Sequence, residues 1–285
     1  MRSILSRRSL ITGGVSCALC ALGGYGLGAL STQRPTAVRS RAARITNTRR
    51  NATRTRAARE SFQPNALFRA DTSEPIVALT FDDGPDPLYT PKVLDMLKTA
   101  GARATFFLVG VNARTHQDLV TRIMDEGHTI GNHTYDHREL ELLQPNAVQA
   151  EIERGQRALV AAGAPAPTLF RPPKGYTDDV VGVLADVARF RTVFWDACVE
   201  HFVNHQSVAD GVRQLLNRVQ PGSVVLAHDG GNITGSGRRP LSRRPTIEAL
   251  PFVLAGLADR GLEVVDVPTL LARTASASAS ASASK

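Results

Sequence analysis

Two neighbouring carboxylates, Asp82 and Asp83, lie in Thr80-Phe81-Asp82-Asp83-Gly84-Pro85, directly after the apolar run Ile76–Phe81. At a strand end adjacent side chains point to opposite sides, so one carboxylate can hold a metal while the other faces its water. Asp-Gly-Pro is also strong turn chemistry, and this segment alone leaves both readings open. His133 and His137 stand four residues apart in Gly131-Asn132-His133-Thr134-Tyr135-Asp136-His137. That spacing puts both imidazoles on one side of a helical turn. Two neutral imidazoles and one carboxylate form a catalytic zinc set with a position left for water. A pair of solvated surface histidines is the plainer alternative. Arg171 opens Arg171-Pro172-Pro173-Lys174-Gly175. The double proline stiffens that loop, and an arginine there can orient a carboxylate through two bonds; a solvated surface arginine fits the same residues. His228 follows Val224–Ala227 and precedes Asp229-Gly230. A histidine at a strand end suits a general acid, although a lone one is more often structural.

These residues need elements to bring them together. Ile76–Phe81, Ala104–Val109, Thr168–Phe170, Thr192–Trp195, Ser223–Ala227 and Leu262–Val265 read as strands. Between them, Pro91–Ala100, Asp118–Glu126, Ala147–Ala162, Asp178–Ala188, a segment capped by Ser207 and running to Val219, and Ile247–Arg260 read as helices. The repeated β-α order predicts an α/β fold with a parallel sheet and outer helices. With six or seven such repeats, this length suits closure of the sheet into a barrel. In such folds chemistry gathers where strands end, and the candidate residues do follow the strands.

Composition narrows the classes of function. Of the 285 residues 42% are hydrophobic, enough for a domain of ordinary size with its own core. The net charge of +8 is unevenly spread. Residues 1–60 hold twelve arginines and one acid, Glu60, so residues 61–284 carry 21 basic and 25 acidic residues and stand near −4. A nucleic-acid partner for the domain loses its support there. Cys17 and Cys20 fall in an apolar N-terminal run, and Cys198 is the remaining cysteine, so the domain forms no internal disulfide.

Four segments are expected. Residues 1–31 contain Ser6-Arg7-Arg8-Ser9-Leu10-Ile11 before a Gly-rich apolar stretch, which resembles a twin-arginine export signal. A membrane anchor is the alternative, weakened by six glycines between residues 13 and 28. Residues 32–70 read as an Arg-rich disordered linker, able to contact anionic envelope polymers or a membrane surface. Residues 71–272 are the catalytic domain, and 273–285 an Ala/Ser low-complexity tail. The expected location is outside the cytoplasm, secreted or held at the cell envelope, with the protein a monomer.

Taken together, the segments resemble the polysaccharide deacetylases, carbohydrate esterase family 4 with the NodB-homology domain. Thr80–Pro85 is similar to the first family motif, His133–His137 to the second, Arg171–Gly175 to the third with Lys174 in place of Tyr, and Leu226-Ala227-His228 to the fifth. The resemblance implies a distorted (β/α) barrel and a metal-dependent hydrolase that removes N-acetyl groups from N-acetylglucosamine-type residues of peptidoglycan or chitin oligomers. It implies that Asp83, His133 and His137 bind a divalent metal, zinc with cobalt as an option. Asp82 would be the base, Arg171 its orienting partner and His228 the acid. Lys174, Gly175, Trp195, Phe202 and Leu226 would contact the glycan, the Lys174 N–H meeting the oxyanion and Lys174 itself able to meet an acidic substrate group. A catalytically weak carbohydrate-binding protein on the same fold, or an acetyl-xylan O-acetyl esterase, would use the same frame. The fourth motif, Asp-x-x-Asp-Trp in the family, departs from the pattern. Here Trp195-Asp196-Ala197-Cys198-Val199-Glu200-His201-Phe202 puts Cys198 and His201 where the acids belong. Glu200 or Asp196 could replace the missing partner of His228, or His201 could leave a less tuned acid.

Overall fold

The computed structural model describes residues 66–231 and 241–283. The expected export signal and the Arg-rich stretch as far as residue 65 lie outside the described residues. The central strand β1, Ile76–Asp82, is buried along its whole length. It is a continuous apolar run because it has neighbours on both sides and layers on both faces. One side pairs in parallel with β7, Val224–His228. The other pairs with β2, Thr105–Leu108, along its C-terminal half and with β8, Glu263–Val265, along its N-terminal half. Beyond β2 come β3 (Thr129–Asn132), β4 (Leu169–Phe170) and β5 (Arg191–Thr192), and beyond β7 comes β6 (Ala197–Cys198). The order β5-β4-β3-β2-β1-β7-β6, parallel throughout, is the curled sheet of a distorted (β/α) barrel. Residues 66–70 cross from one end of the sheet to the other: Leu67 bridges Val193 and Arg69 bridges Ser223. Leu67 and Ala70 are buried, so the domain starts before residue 71, inside the stretch expected to be linker.

Nine helices are described: α1 (Thr90–Thr99), α2 (Gly110–Thr115), α3 (Gln117–Asp125), α4 (Pro145–Ala161), α5 (Asp179–Val187), α6 (Val199–Val203), α7 (Val208–Arg218), α8 (Arg244–Asp259) and α9 (Val267–Ala283). Two have side-chain caps legible in the sequence: Asp178 accepts the Val181 N–H, and Ser207 accepts that of Asp210. The expected low-complexity tail continues α9 instead of leaving the helix at residue 272. Alanine favours helix strongly enough to carry it, and Arg273 anchors its start by pairing with Glu74 and Glu263. Among the described residues no helix is long and apolar enough to cross a membrane.

Side-chain alternation sorts the strands into two layers. Val77, Leu79 and Phe81 of β1, with Val225 and Ala227 of β7, join the core beneath the helices. Ile76, Ala78 and Val224 join the barrel interior with Leu67, Phe107 and Val193. Continuing the same alternation, Thr80 and Asp82 on β1 and Leu226 and His228 on β7 belong to the interior side. Asp82 and His228 are direct partners in the register of these strands.

Candidate active site

The interior layer ends in a ring of charged groups. Asp83, one step past β1, turns away from Asp82 with φ 76°. His133 follows β3, and its Nδ1 lies 2.7 Å from the Arg171 carbonyl. That contact makes Nδ1 the protonated nitrogen and turns the Nε2 lone pair inward. His133 Nε2 is 3.5 Å and His137 Nε2 3.1 Å from Asp83 Oδ1. One ligand atom from each of the three residues falls within 4.8 Å of the others, all buried. Two inward imidazole nitrogens and a carboxylate oxygen gathered this closely fit one divalent ion.

The expectation of a helical turn from His133 to His137 fails. This stretch is a loop, and Thr134 (φ 69°) and His137 (φ 53°) adopt left-handed backbone. Strand β3, which the sequence reading did not include, delivers the loop, and the imidazoles converge edge to face with centroids 5.0 Å apart. Gly155 of α4 permits the loop's position, because a Cβ there would lie 2.7 Å from the Thr134 carbonyl carbon. Of five non-glycine residues with positive φ among those described, Asp83, Thr134, His137 and Lys174 belong to this region. Such conformations cost on the order of 1–3 kcal/mol each and persist where the surroundings enforce them.

Asp82 is held from below by Arg171, which has no exposed surface. Arg171 Nη1 donates to Asp82 Oδ1 at 2.6 Å and to Thr80 Oγ1 at 2.9 Å. Its Nε and Nη2 donate to the carbonyls of Val193 and Phe194, and its guanidinium lies 4.1 Å from the Phe107 ring centroid. Burial lowers the guanidinium from its ordinary value while Asp82 opposes the shift. With Oδ1 engaged, Asp82 Oδ2 faces the metal-ligand side, 3.8 Å from His133 Nε2.

The opposite wall decides among the alternatives for the fourth motif. His228 Nδ1 is 3.1 Å from Glu200 Oε2, an ion-pair contact off the hydrogen-bonding direction. Glu200 is fixed by the His228 N–H at 2.9 Å and the Thr246 hydroxyl at 2.5 Å. Burial by itself would raise the Glu200 carboxyl, but His228, Arg243 and Thr246 outweigh it and hold it at about 2. Burial likewise opposes protonation of His228, and Glu200 overrides it, raising the imidazole above its ordinary value. Asp196 does not take this role: it bonds the Ser223 hydroxyl and the Val224 N–H at the far end of β7. His201 is exposed and lies edge-on to Phe202. Phe202 packs against the helix-side core, so its expected place beside the glycan is corrected. The cause is local: Val199–Val203 forms a helix, which turns Glu200 inward and His201 outward. Burial, and Glu200 after it, push the Cys198 thiol well up.

Arg243, which the sequence reading did not single out, joins the two walls. Its Nη2 lies 2.5 Å from Asp83 Oδ2, and its Nε donates to the Gly230 carbonyl at 2.6 Å. Burial by itself would raise the Asp83 carboxyl, but His137, His133 and Arg243 hold it well below the usual carboxylate range. No motif marks Arg243, because its contact with Asp83 bridges 160 positions of chain. Lys174 sits at the mouth in left-handed backbone, and its Nζ is paired with Glu139. An acidic substrate group would have to displace Glu139 to reach it. Gly175 backs onto Trp195, and a Cβ on Gly175 would lie 2.5 Å from that ring. Leu226 is buried between Thr80 of β1 and Cys198 of β6.

The polysaccharide deacetylase family model matches residues 69–193. The peptidoglycan-N-acetylglucosamine deacetylase of Bacillus cereus is 36% identical over 223 residues, 75% of this chain and 97% of that protein. The chain belongs to the polysaccharide deacetylase family. Within this family, the chitooligosaccharide deacetylase of a Bradyrhizobium strain is 35% identical over 198 residues, 68% of this chain and 90% of its own. Among solved structures, a mutant of a family 4 carbohydrate esterase pseudoenzyme from Bacillus anthracis, with restored activity, matches with a TM-score of 0.64. It is 26% identical and the match covers 72% of this chain and 71% of that one. Because the family also contains a pseudoenzyme, the case for activity in this deacetylase rests on its own residues.

Proposed function

We propose that the chain hydrolyses the N-acetyl groups of N-acetylglucosamine-type residues in a polysaccharide, peptidoglycan or chitin oligomers, releasing acetate and a free amino sugar. One observation carries the reading: the Asp83–His133–His137 set stands beside a second buried carboxylate, Asp82, whose far oxygen is fixed by Arg171. The set suits zinc, with cobalt as a substitute, and such an ion supplies Lewis acidity toward the acetyl carbonyl and lowers the pKa of a water. Asp82 Oδ2 takes the proton of the attacking water, and Arg171 keeps that oxygen aimed at it. The Lys174 N–H donates to the oxyanion, which needs the backbone and not the side chain, so the exchange of Tyr for Lys is tolerated. His228, whose protonated form Glu200 favours against burial, gives its proton to the leaving amine. Trp195, Gly175 and Leu226 supply the wall that receives the sugar and acetyl methyl. From Arg7-Arg8 and the apolar stretch after them, we place the enzyme outside the cytoplasm, secreted or at the envelope.

The decisive experiment compares Asp82→Asn with the parent after zinc loading, measuring bound metal and acetate release from N-acetylglucosamine oligomers and peptidoglycan fragments. We expect equal metal content and a loss of turnover of about 10²–10⁴-fold, the range of a general base. Full turnover in the variant removes Asp82 from the mechanism. Acetyl-xylan is assayed alongside, and acetate release by the parent from that substrate alone would make the enzyme an O-acetyl esterase.

A further inference from the structure

A surface groove of about 310 Å3 lies outside the proposed reaction centre, lined by Arg114, Tyr135, Arg154, Arg157, Ala158 and Ala161. Helix α2 supplies Arg114, and α4 supplies Arg154, Arg157 and the two alanines. Tyr135 belongs to the loop between His133 and His137, so its Cα lies within about 7.6 Å of each of theirs, two trans peptide steps. Tyr135 gathers the cations: the Arg154 guanidinium stacks 3.9 Å over its ring and Arg114 Nη1 donates to its hydroxyl at 3.3 Å.

The groove is short of carboxylates. Arg157 pairs with Glu153 at 3.3 Å. Arg154 reaches Glu151 only at 4.0 Å, and Glu151 is already bonded to the Asp136 N–H. Arg114 has no carboxylate partner among the described residues. Arginines on a helix face are ordinarily just solvated. Here three converge on one concavity, on a domain whose overall charge is negative, with an aromatic ring holding two of them in place.

We propose that this groove binds an anionic group of the polymer being deacetylated, a carboxylate or a phosphodiester, and so docks charged glycan beside the reaction centre. Guanidinium forks match both groups. The proposal rests on the function proposed above, and its test separates the two.

The full chain and its Arg114→Gln/Arg154→Gln/Arg157→Gln variant are compared, so that the Arg-rich residues 32–60 contribute equally to both. The three substrates are peptidoglycan fragments with stem peptides, fragments bearing a phosphodiester polymer, and neutral N-acetylglucosamine oligomers. We expect kcat/KM of the variant to fall about tenfold on an anionic substrate at low salt, the combined effect of several exposed ion pairs, and the difference to shrink as salt rises. Turnover of the neutral oligomers should not change. A loss confined to one anionic substrate identifies the group that is bound. Equal losses on neutral oligomers, or no loss on any substrate, overturn the groove. Binding of both proteins to intact peptidoglycan in the presence of chelator is measured in parallel. If neither protein turns over any substrate, weaker salt-sensitive binding by the variant still supports the groove, and unchanged binding overturns it.

Discussion

The two walls of the site are built on different plans. On one, Asp82, Asp83, His133, His137 and Arg171 come from the ends of β1, β3 and β4, and Asp82 and Arg171 neutralise each other in the barrel interior. On the other, His228 ends β7, but its partner Glu200 comes from the short helix α6 and is tied down by the Thr246 hydroxyl and the His228 N–H. The motifs of the first wall hold apart from Lys174 in the third, and in the second wall the fifth holds while the fourth breaks. In the second wall a carboxylate stands beside His228, but it comes from a different position of the chain than the family motif gives.

The comparison can be broken most sharply at Arg171. Removing it as Arg171→Met leaves Asp82 buried without its cation, a change that typically costs roughly 3–5 kcal/mol. Chemical denaturation of the metal-free protein should show that loss, and metal reloading should not restore turnover. A variant as stable as the parent would mean that the first wall does not rest on this pair.

Glu200→Gln is the next largest effect. In the proposed mechanism His228 serves as an acid only while protonated, and Glu200 favours its protonated form against burial. The variant should therefore lose activity at lower pH than the parent on the alkaline side of its rate profile. We expect a loss of about tenfold near neutral pH, below the full contribution of a general acid, with metal content unchanged. His201→Asp should leave the profile alone, because His201 faces solvent. A shifted profile in His201→Asp but not in Glu200→Gln would reverse the assignment.

The smallest effect concerns Asp229, beneath both walls. Burial, with Asp83, Asp86 and Asp82 nearby, pushes its carboxyl up to about 7 against the hydrogen bond from Thr90. An unfolded aspartate loses its proton near about 4, whereas the folded one keeps it to about 7. Between those values unfolding releases a proton, so the metal-free protein should lose stability as pH rises through this window. Asp229→Asn should flatten that slope in thermal melts, and an unchanged slope would assign it to other groups.

The helices and most strands were legible because apolar periodicity and caps are local properties. Strand β3 was missed because Thr129-Ile130-Gly131-Asn132 has only one large apolar residue; its place is set by pairing with β2 and by the fit of Gly131 against Phe107. The gathering of Asp83, His133 and His137 was legible from type and spacing, although the predicted helical turn was wrong. Glu200 was one alternative among three, and nothing in its neighbourhood separated it from Asp196 or His201 until α6 fixed which side chain points inward.

By itself the sequence determined the alternation of strands and helices, the family, and which candidate residues follow strands, because each is written in short stretches of chain. Tertiary structure alone decided the partner of His228, the tie from Arg243 to Asp83, the cations gathered around Tyr135 and the inward or outward turn of the fourth motif. Those contacts join residues far apart in the chain, and no local pattern records which distant side chain will arrive beside a buried charge.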